Sequence, residues 1–148
     1  MLWLSQQKMK SKDPAKRAEA VHELARLKQT ELILDALSDE NPRVRRAAAQ
    51  ALGTLKERSA VEALVNVRFD DDPAVRKAAV EALGDIRDPL ALRPLLEMLG
   101  DEQRDVCLSA VDALVKFGEA ALQPLLAELG AEDPEQRQAA ANALTQMG

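Results

Sequence analysis

Asn41-Pro42-Arg43-Val44-Arg45-Arg46-Ala47-Ala48-Ala49-Gln50-Ala51-Leu52-Gly53 returns as Asp72-Pro73-Ala74-Val75-Arg76-Lys77-Ala78-Ala79-Val80-Glu81-Ala82-Leu83-Gly84. Weaker copies start at Asp13, Gln103 and Asp133. Five copies of one phrase mark a repeat architecture, in which stacked units share a continuous core. The proline of each copy is an anchor: Pro14, Pro42, Pro73 and Pro134, with Arg104 in its place in the fourth copy. Ten residues past each anchor stand Leu24, Leu52, Leu83, Leu114 and Leu144; six past stand Ala20, Ala48, Ala79, Ala110 and Ala140. The thirteenth position holds Leu27, Leu55, Ile86, Phe117 and Met147. Apolar spacings of four and three describe one stripe of an α-helix. The Asp or Asn before the proline suits an N-cap, and proline suits the first helical position. Gly118 and Gly148, just past the stripe, suit a C-cap.

A second apolar stripe precedes each of these helices. It reads Ile33, Leu34, Leu37 in copy two and Val61, Leu64, Val65 in copy three. In copies four and five it reads Leu92, Leu95, Leu96, Leu99 and Leu122, Leu125, Leu126, Leu129, closed by Gly100 and Gly130. Each unit is therefore expected to be a helical hairpin. The fold class is all-α: an α-solenoid, or superhelix, of about five antiparallel helical hairpins. One domain spans 1–148, with approximate units 1–28, 29–56, 57–87, 88–118 and 119–148. Aromatics make up only 2% of the chain, so the core must be built from Ala, Leu and Val.

The phrase Asp-x-x-Pro-x-Val-Arg-x-Ala-Ala-x-x-Ala-Leu-Gly, met in full at Asp39 to Gly53, resembles HEAT repeats, in particular the short kind named after phycobilisome lyase subunits. The resemblance covers the whole chain, strongly in copies two and three and least in copy one. Pro94 and Pro124, each ten residues before an anchor, fit the proline that HEAT repeats often carry in the first helix. The resemblance implies that Asp39, Arg45, Asp70, Arg76, Asp101 and Arg137 form a hydrogen-bonded ladder between neighbouring units. Copy four has Cys107 in the arginine column and copy five has Ala131 in the aspartate column. A weak point is expected at Cys107, with Asp101 left free to cap or face solvent.

Little in the sequence points to catalysis. His22 is the one histidine and has no spaced Asp, Ser or Cys partner. Cys107 lacks an evident base, and the Asp70-Asp71-Asp72 run reads as a solvated turn with an N-cap. No catalytic residue, metal or cofactor is expected. Arg68 stands in a column otherwise held by Leu37, Leu99 and Leu129; Phe69 is expected to fill the gap while Arg68 reaches outward. A single cysteine excludes an internal disulfide and fits a reducing compartment, so a cytoplasmic location is expected. No apolar run approaches the roughly 18 residues of a membrane span.

Recognition is expected on the exposed face of the second helices, which line the concave side in HEAT-type stacks. The partner-binding stripe comprises His22, Arg26, Arg43, Arg46, Gln50, Lys77, Glu81, Asp85, Leu108 and Asp112. It runs from basic to acidic along the chain, and such a field can steer a partner of opposite polarity into register. A non-enzymatic scaffold with a protein partner follows. The alternative that the resemblance allows is a subunit of a bilin lyase or tetrapyrrole-handling complex acting with a partner chain. A net charge of −5 argues against nucleic acid, whose phosphates need a basic surface. The first helix, near Leu2 to Met9, is expected to pack Trp3 and Leu4 on copy two. An uncapped terminal repeat implies end-to-end oligomers.

Overall fold

Helix starts follow the anchors. The side chains of Asp13, Asn41, Asp72 and Asp133 accept hydrogen bonds from the backbone amides of Ala15, Arg43, Ala74 and Glu135, and a proline follows each. In the fourth copy Gln103 makes no such cap bond and Arg104 replaces the proline. In the computed structural model, which describes residues 1–148, ten α-helices result. They are α1 (Leu2–Met9), α2 (Pro14–Arg26), α3 (Thr30–Ala36), α4 (Pro42–Leu55), α5 (Val61–Asn66), α6 (Pro73–Ile86), α7 (Leu92–Met98), α8 (Arg104–Phe117), α9 (Glu119–Glu128) and α10 (Pro134–Met147). Single 3₁₀ turns cover Arg58–Ala60, Val67–Phe69 and Pro89–Ala91. Pro94 sits in the first turn of α7, where its missing N–H leaves no gap, whereas Pro124 lies inside α9.

Each odd-numbered helix packs on the even-numbered helix that follows it, and α2, α4, α6, α8 and α10 stack in sequence order. The fold is an α-solenoid. One apolar cluster runs unbroken from Ala18 to Ala143 and is built of Ala, Val, Leu, Ile and Met. Small residues in the even helices set how closely they approach. A Cβ added to Gly53 would stand 2.8 Å from the Cα of Ala82, and one added to Gly84 would stand 2.9 Å from the Cα of Ala113. The glycine that ends the repeated phrase is thus a packing residue inside the helix. The left-handed position just past the helix falls on Lys28, Lys56 and Arg87 in the first three copies and on Gly118 only in the fourth.

Two sequence expectations need correction. Trp3 and Leu4 do not pack on copy two; they are 66% and 55% exposed. Helix α1 is held instead by Leu2 and Met9, which pack against the core, and by polar contacts to α2: the Ser5 hydroxyl and the Lys8 ammonium both donate to Glu23, and Lys8 also reaches Glu19. Phe69 does not fill a gap either, being 71% exposed. The Arg68 guanidinium lies 4.1 Å from the centre of its ring and donates to the Val65 carbonyl and to Glu97. An arginine is accommodated in a leucine column because it closes its own helix end and bridges to the next hairpin.

Gly84→Val forces α6 and α8 apart at their closest approach. Overpacking of this kind costs about 1–3 kcal/mol. The expected outcome is a lower urea midpoint with unchanged helical content below the transition.

Candidate functional site

The arginine three residues past each anchor proline has a fixed job. One terminal nitrogen donates to a carbonyl of the turn before its own helix: Arg17 to Ser11, Arg45 to Asp39, Arg76 to Asp70 and Arg137 to Ala131, at 2.7–2.8 Å. The remaining fork reaches the next hairpin. Arg17 holds both carboxylate oxygens of Asp39 at 2.9 and 3.0 Å, Arg45 those of Asp70 at 2.7 and 3.0 Å, and Arg76 those of Asp101 at 2.9 and 3.2 Å. Each aspartate also accepts from an amide of its own turn: Asn41, Asp72 or Gln103. The rung therefore ties three things together: the turn behind, the hairpin ahead and that hairpin's own turn. Such bidentate, charge-assisted pairs are directional.

Burial alone would raise the pKa of Asp39. Hydrogen bonds from Arg17 and the Asn41 amide outweigh it, and the carboxyl titrates below its ordinary value. Arg17 and Arg45 are shifted upward by their hydrogen bonds to Asp39 and Asp70.

This geometry changes the ladder expected from sequence. Arg45 takes only the backbone carbonyl of Asp39; its carboxylate partner is Asp70. Arg17 forms a full rung and was missed, although it stands in the same column after Pro14. Asp101 is not free, because Arg76 of the preceding hairpin holds it. The gap falls one junction later. By register Cys107 would pair with position 131, and that position is Ala131. Arginine and aspartate are both absent from the α8–α10 junction, so no charge is orphaned there. The Cys107 thiol donates to the Leu99 carbonyl, and burial pushes its pKa up, which keeps it protonated and a poor nucleophile. Of the acidic run, Asp70 is a rung and Asp72 an N-cap, and Asp71 is exposed.

The stripe residues are distributed over several grooves. Arg46, Gln50, Lys77 and Glu81 come together, with Asp105, in a groove of about 320 Å³ that spans α4, α6 and α8. Glu81, Asp85 and Asp112 line the adjoining one with Lys116, whose ammonium pairs with Asp85 at 2.7 Å. Leu108 lies between α8 and α10, beside Gln138 and Asn142. Arg26 borders a separate recess against α1. His22 and Arg43 are exposed but line none of these grooves. Lys116 and Asp105 belong to the same columns of the repeat and complete the charged surface. No helix is long and apolar enough to cross a membrane.

Removing one side of a buried rung strands the other. Arg76→Ala leaves the Asp101 carboxylate without its fork and should cost about 3 kcal/mol in chemical denaturation. Arg137→Ala, which strands no carboxylate, should change stability by less than about 0.5 kcal/mol.

Comparison with known proteins agrees with this geometry. A family model described as HEAT repeats matches residues 2–67 and 30–115. Sequence comparison with curated proteins gives no match. Among solved structures, the complex of CpcE and CpcF of phycocyanin lyase from Nostoc sp. PCC7120 is similar at 26% identity and a TM-score of 0.74. The alignment covers 99% of this chain and 65% of that one, so this chain spans about two thirds of the length of its relative. A designed armadillo repeat protein in complex with the peptide (KR)4 shares the fold at 21% identity and a TM-score of 0.65, covering 97% of this chain and 80% of that one. Human deoxyhypusine hydroxylase in complex with glycerol shares it at 23% identity and a TM-score of 0.53, covering 99% and 73%. With the family model matched over most of its length and arginine–aspartate rungs joining its first four hairpins, this chain belongs to the HEAT-repeat family and resembles the phycobilisome-lyase type.

Proposed function

We propose that this protein is a non-enzymatic helical-repeat scaffold that binds a protein partner along the exposed face of α2, α4, α6, α8 and α10. The observation that carries this reading is the groove spanning α4, α6 and α8, lined by Arg46 from α4, Lys77 and Glu81 from α6 and Asp105 from α8. Three helices from three hairpins contribute to one surface, and the side chains on it are charged rather than apolar. The columns that build the core are nearly uniform between copies, while the columns facing this groove vary from copy to copy. A partner segment of opposite polarity would meet complementary charge along its length, which favours specificity and fast association. Lys77 and Glu81 lie 4.0 Å apart and Lys116 pairs with Asp85, so part of the field is neutralised locally. The unpaired groups, Arg43 and Arg46 at one end and Asp105 and Asp112 at the other, remain for a partner. The similar phycocyanin lyase structure is a complex of two different chains, which also supports a protein partner.

That same similarity favours a second reading: a subunit of a bilin lyase or tetrapyrrole-handling complex that acts with a partner chain. The two readings differ in what binds. Arg43→Glu, Arg46→Glu and Lys77→Glu together reverse the basic half of the face without touching the core. Partners recovered from lysate on the wild-type chain should be lost on this triple variant; unchanged recovery contradicts the scaffold reading. Absorbance titration with a free bilin distinguishes the second, since a spectral shift on the isolated chain would favour pigment handling.

A further inference from the structure

The odd-numbered helices carry an apolar groove of their own. It lies between α3 and α5 and holds about 400 Å³. Leu34 and Leu37 line it from the α3 side and Ala63 and Val67 from the α5 side, with the exposed Phe69 at one end. Hairpins stand on both sides of the two that form it, so a further repeat at either end of the stack would leave it open. One hairpin on, the chain fills the equivalent space itself. Arg68, in the column of Leu37, crosses from α5 to Glu97 of α7, donates to the Val65 carbonyl and stacks on Phe69. The corresponding positions between α3 and α5 are Leu37 and Asn66, which cannot form that bridge.

The free charge beside the groove is negative. Glu31 and Asp35 on α3, Glu62 on α5 and Asp71 in the following turn are exposed and enter no ion pair. Asp39 and Glu40 answer to Arg17, Asp70 to Arg45, and Arg68 to Glu97. Lys28, Lys56, Glu57 and Arg58 stand at the opposite end, before the N-termini of α3 and α5, and Lys10 and Lys12 lie one hairpin back. The groove opens at the C-terminal ends of α3 and α5, which add partial negative charge.

We propose that the α3–α5 groove is a docking site for a basic segment of a partner protein. The segment sets an aliphatic or aromatic side chain on Leu34, Leu37 and Val67 and places lysine or arginine beside it, against Asp35 and Glu62. The apolar floor supplies the burial and the carboxylates set the sign of the partner. Arg68 shows on the same scaffold what fits: a cation stacked on Phe69 and answered by a carboxylate. The site shares no residue with the groove of α4, α6 and α8.

The probe is a random peptide library displayed on phage and selected on the full chain. Counter-selection uses a variant that closes the groove with the chain's own bridge, Leu37→Arg with Asn66→Glu. Circular dichroism and urea unfolding first establish that it folds; if it does not, the chain carrying Asp35→Lys and Glu62→Lys, two exposed changes, takes its place. Enriched peptides are labelled and titrated by fluorescence anisotropy. They are expected to combine an aromatic or aliphatic residue with lysine or arginine. Their binding should weaken about tenfold on Asp35→Lys with Glu62→Lys, and should fall as salt rises. It should be unchanged on Arg43→Glu, Arg46→Glu and Lys77→Glu together, which separates this site from the other face. Acidic or uncharged peptides, equal binding to the charge-reversed chain, or no enrichment over the counter-selected variant overturns the proposal. Self-association of the chain that Asp35→Lys with Glu62→Lys abolishes also overturns it, because the occupant is then a second copy.

Discussion

A guanidinium fork crossing from one hairpin to the next is the interaction on which the rest of this structure depends. The apolar faces of the hairpins drive them together, but burial is non-directional and would tolerate sliding along the stack. The rungs Arg17–Asp39, Arg45–Asp70 and Arg76–Asp101 permit one register only. Each is nearly shut off from water, and both partners are satisfied on all sides by turn carbonyls and turn amides. Correct register then lets Gly53 and Gly84 meet Ala82 and Ala113 at distances that a shifted stack would not allow.

Irregularities collect in the fourth copy, and they act in the same direction. Arg104 replaces the anchor proline, Gln103 gives no cap bond, and Cys107 replaces the rung arginine. With Ala131 opposite, no arginine–aspartate rung joins α8 and α10; the one side-chain hydrogen bond between the last two hairpins runs from the Gln136 amide to the Leu96 carbonyl. The two halves of the solenoid therefore differ in what holds them. The rung-tied part carries the groove that spans α4, α6 and α8, so the surface proposed for recognition rests on the more firmly fixed hairpins.

Helix positions and the repeating core were legible in the sequence because Leu and Ala recur at helical spacing under proline anchors. The chemistry of the rung was only half legible. Spacing showed that Asp39 and Arg45 belong to one turn, but the carboxylate contact runs between units, to a residue 25 positions on at Asp70. That displacement is why Asp101 was taken as free and why Arg17 was passed over in the least regular copy. The glycine closing the repeated phrase is a packing residue whose role the sequence does not announce, because its neighbour lies in another helix. Trp3, Leu4 and Phe69 were assigned to the core on hydrophobicity alone. Nothing local in the sequence shows that Leu2 and Met9, with Lys8 and Ser5 through Glu23, dock the first helix instead. The charged stripe was found from variation between copies, yet only its middle members share a groove: Arg26 and Leu108 border separate recesses, and His22 and Arg43 line none of these.

Native-state hydrogen exchange, resolved by helix, tests most directly whether the rungs govern the stack. If they do, amides of α4 and α6 exchange only through opening of the whole tied segment. Those of α9 and α10 then exchange at a distinctly lower opening free energy, with the boundary at the α8–α10 junction. Uniform protection from α4 through α10, or a boundary at one of the three arginine–aspartate junctions, would contradict the account.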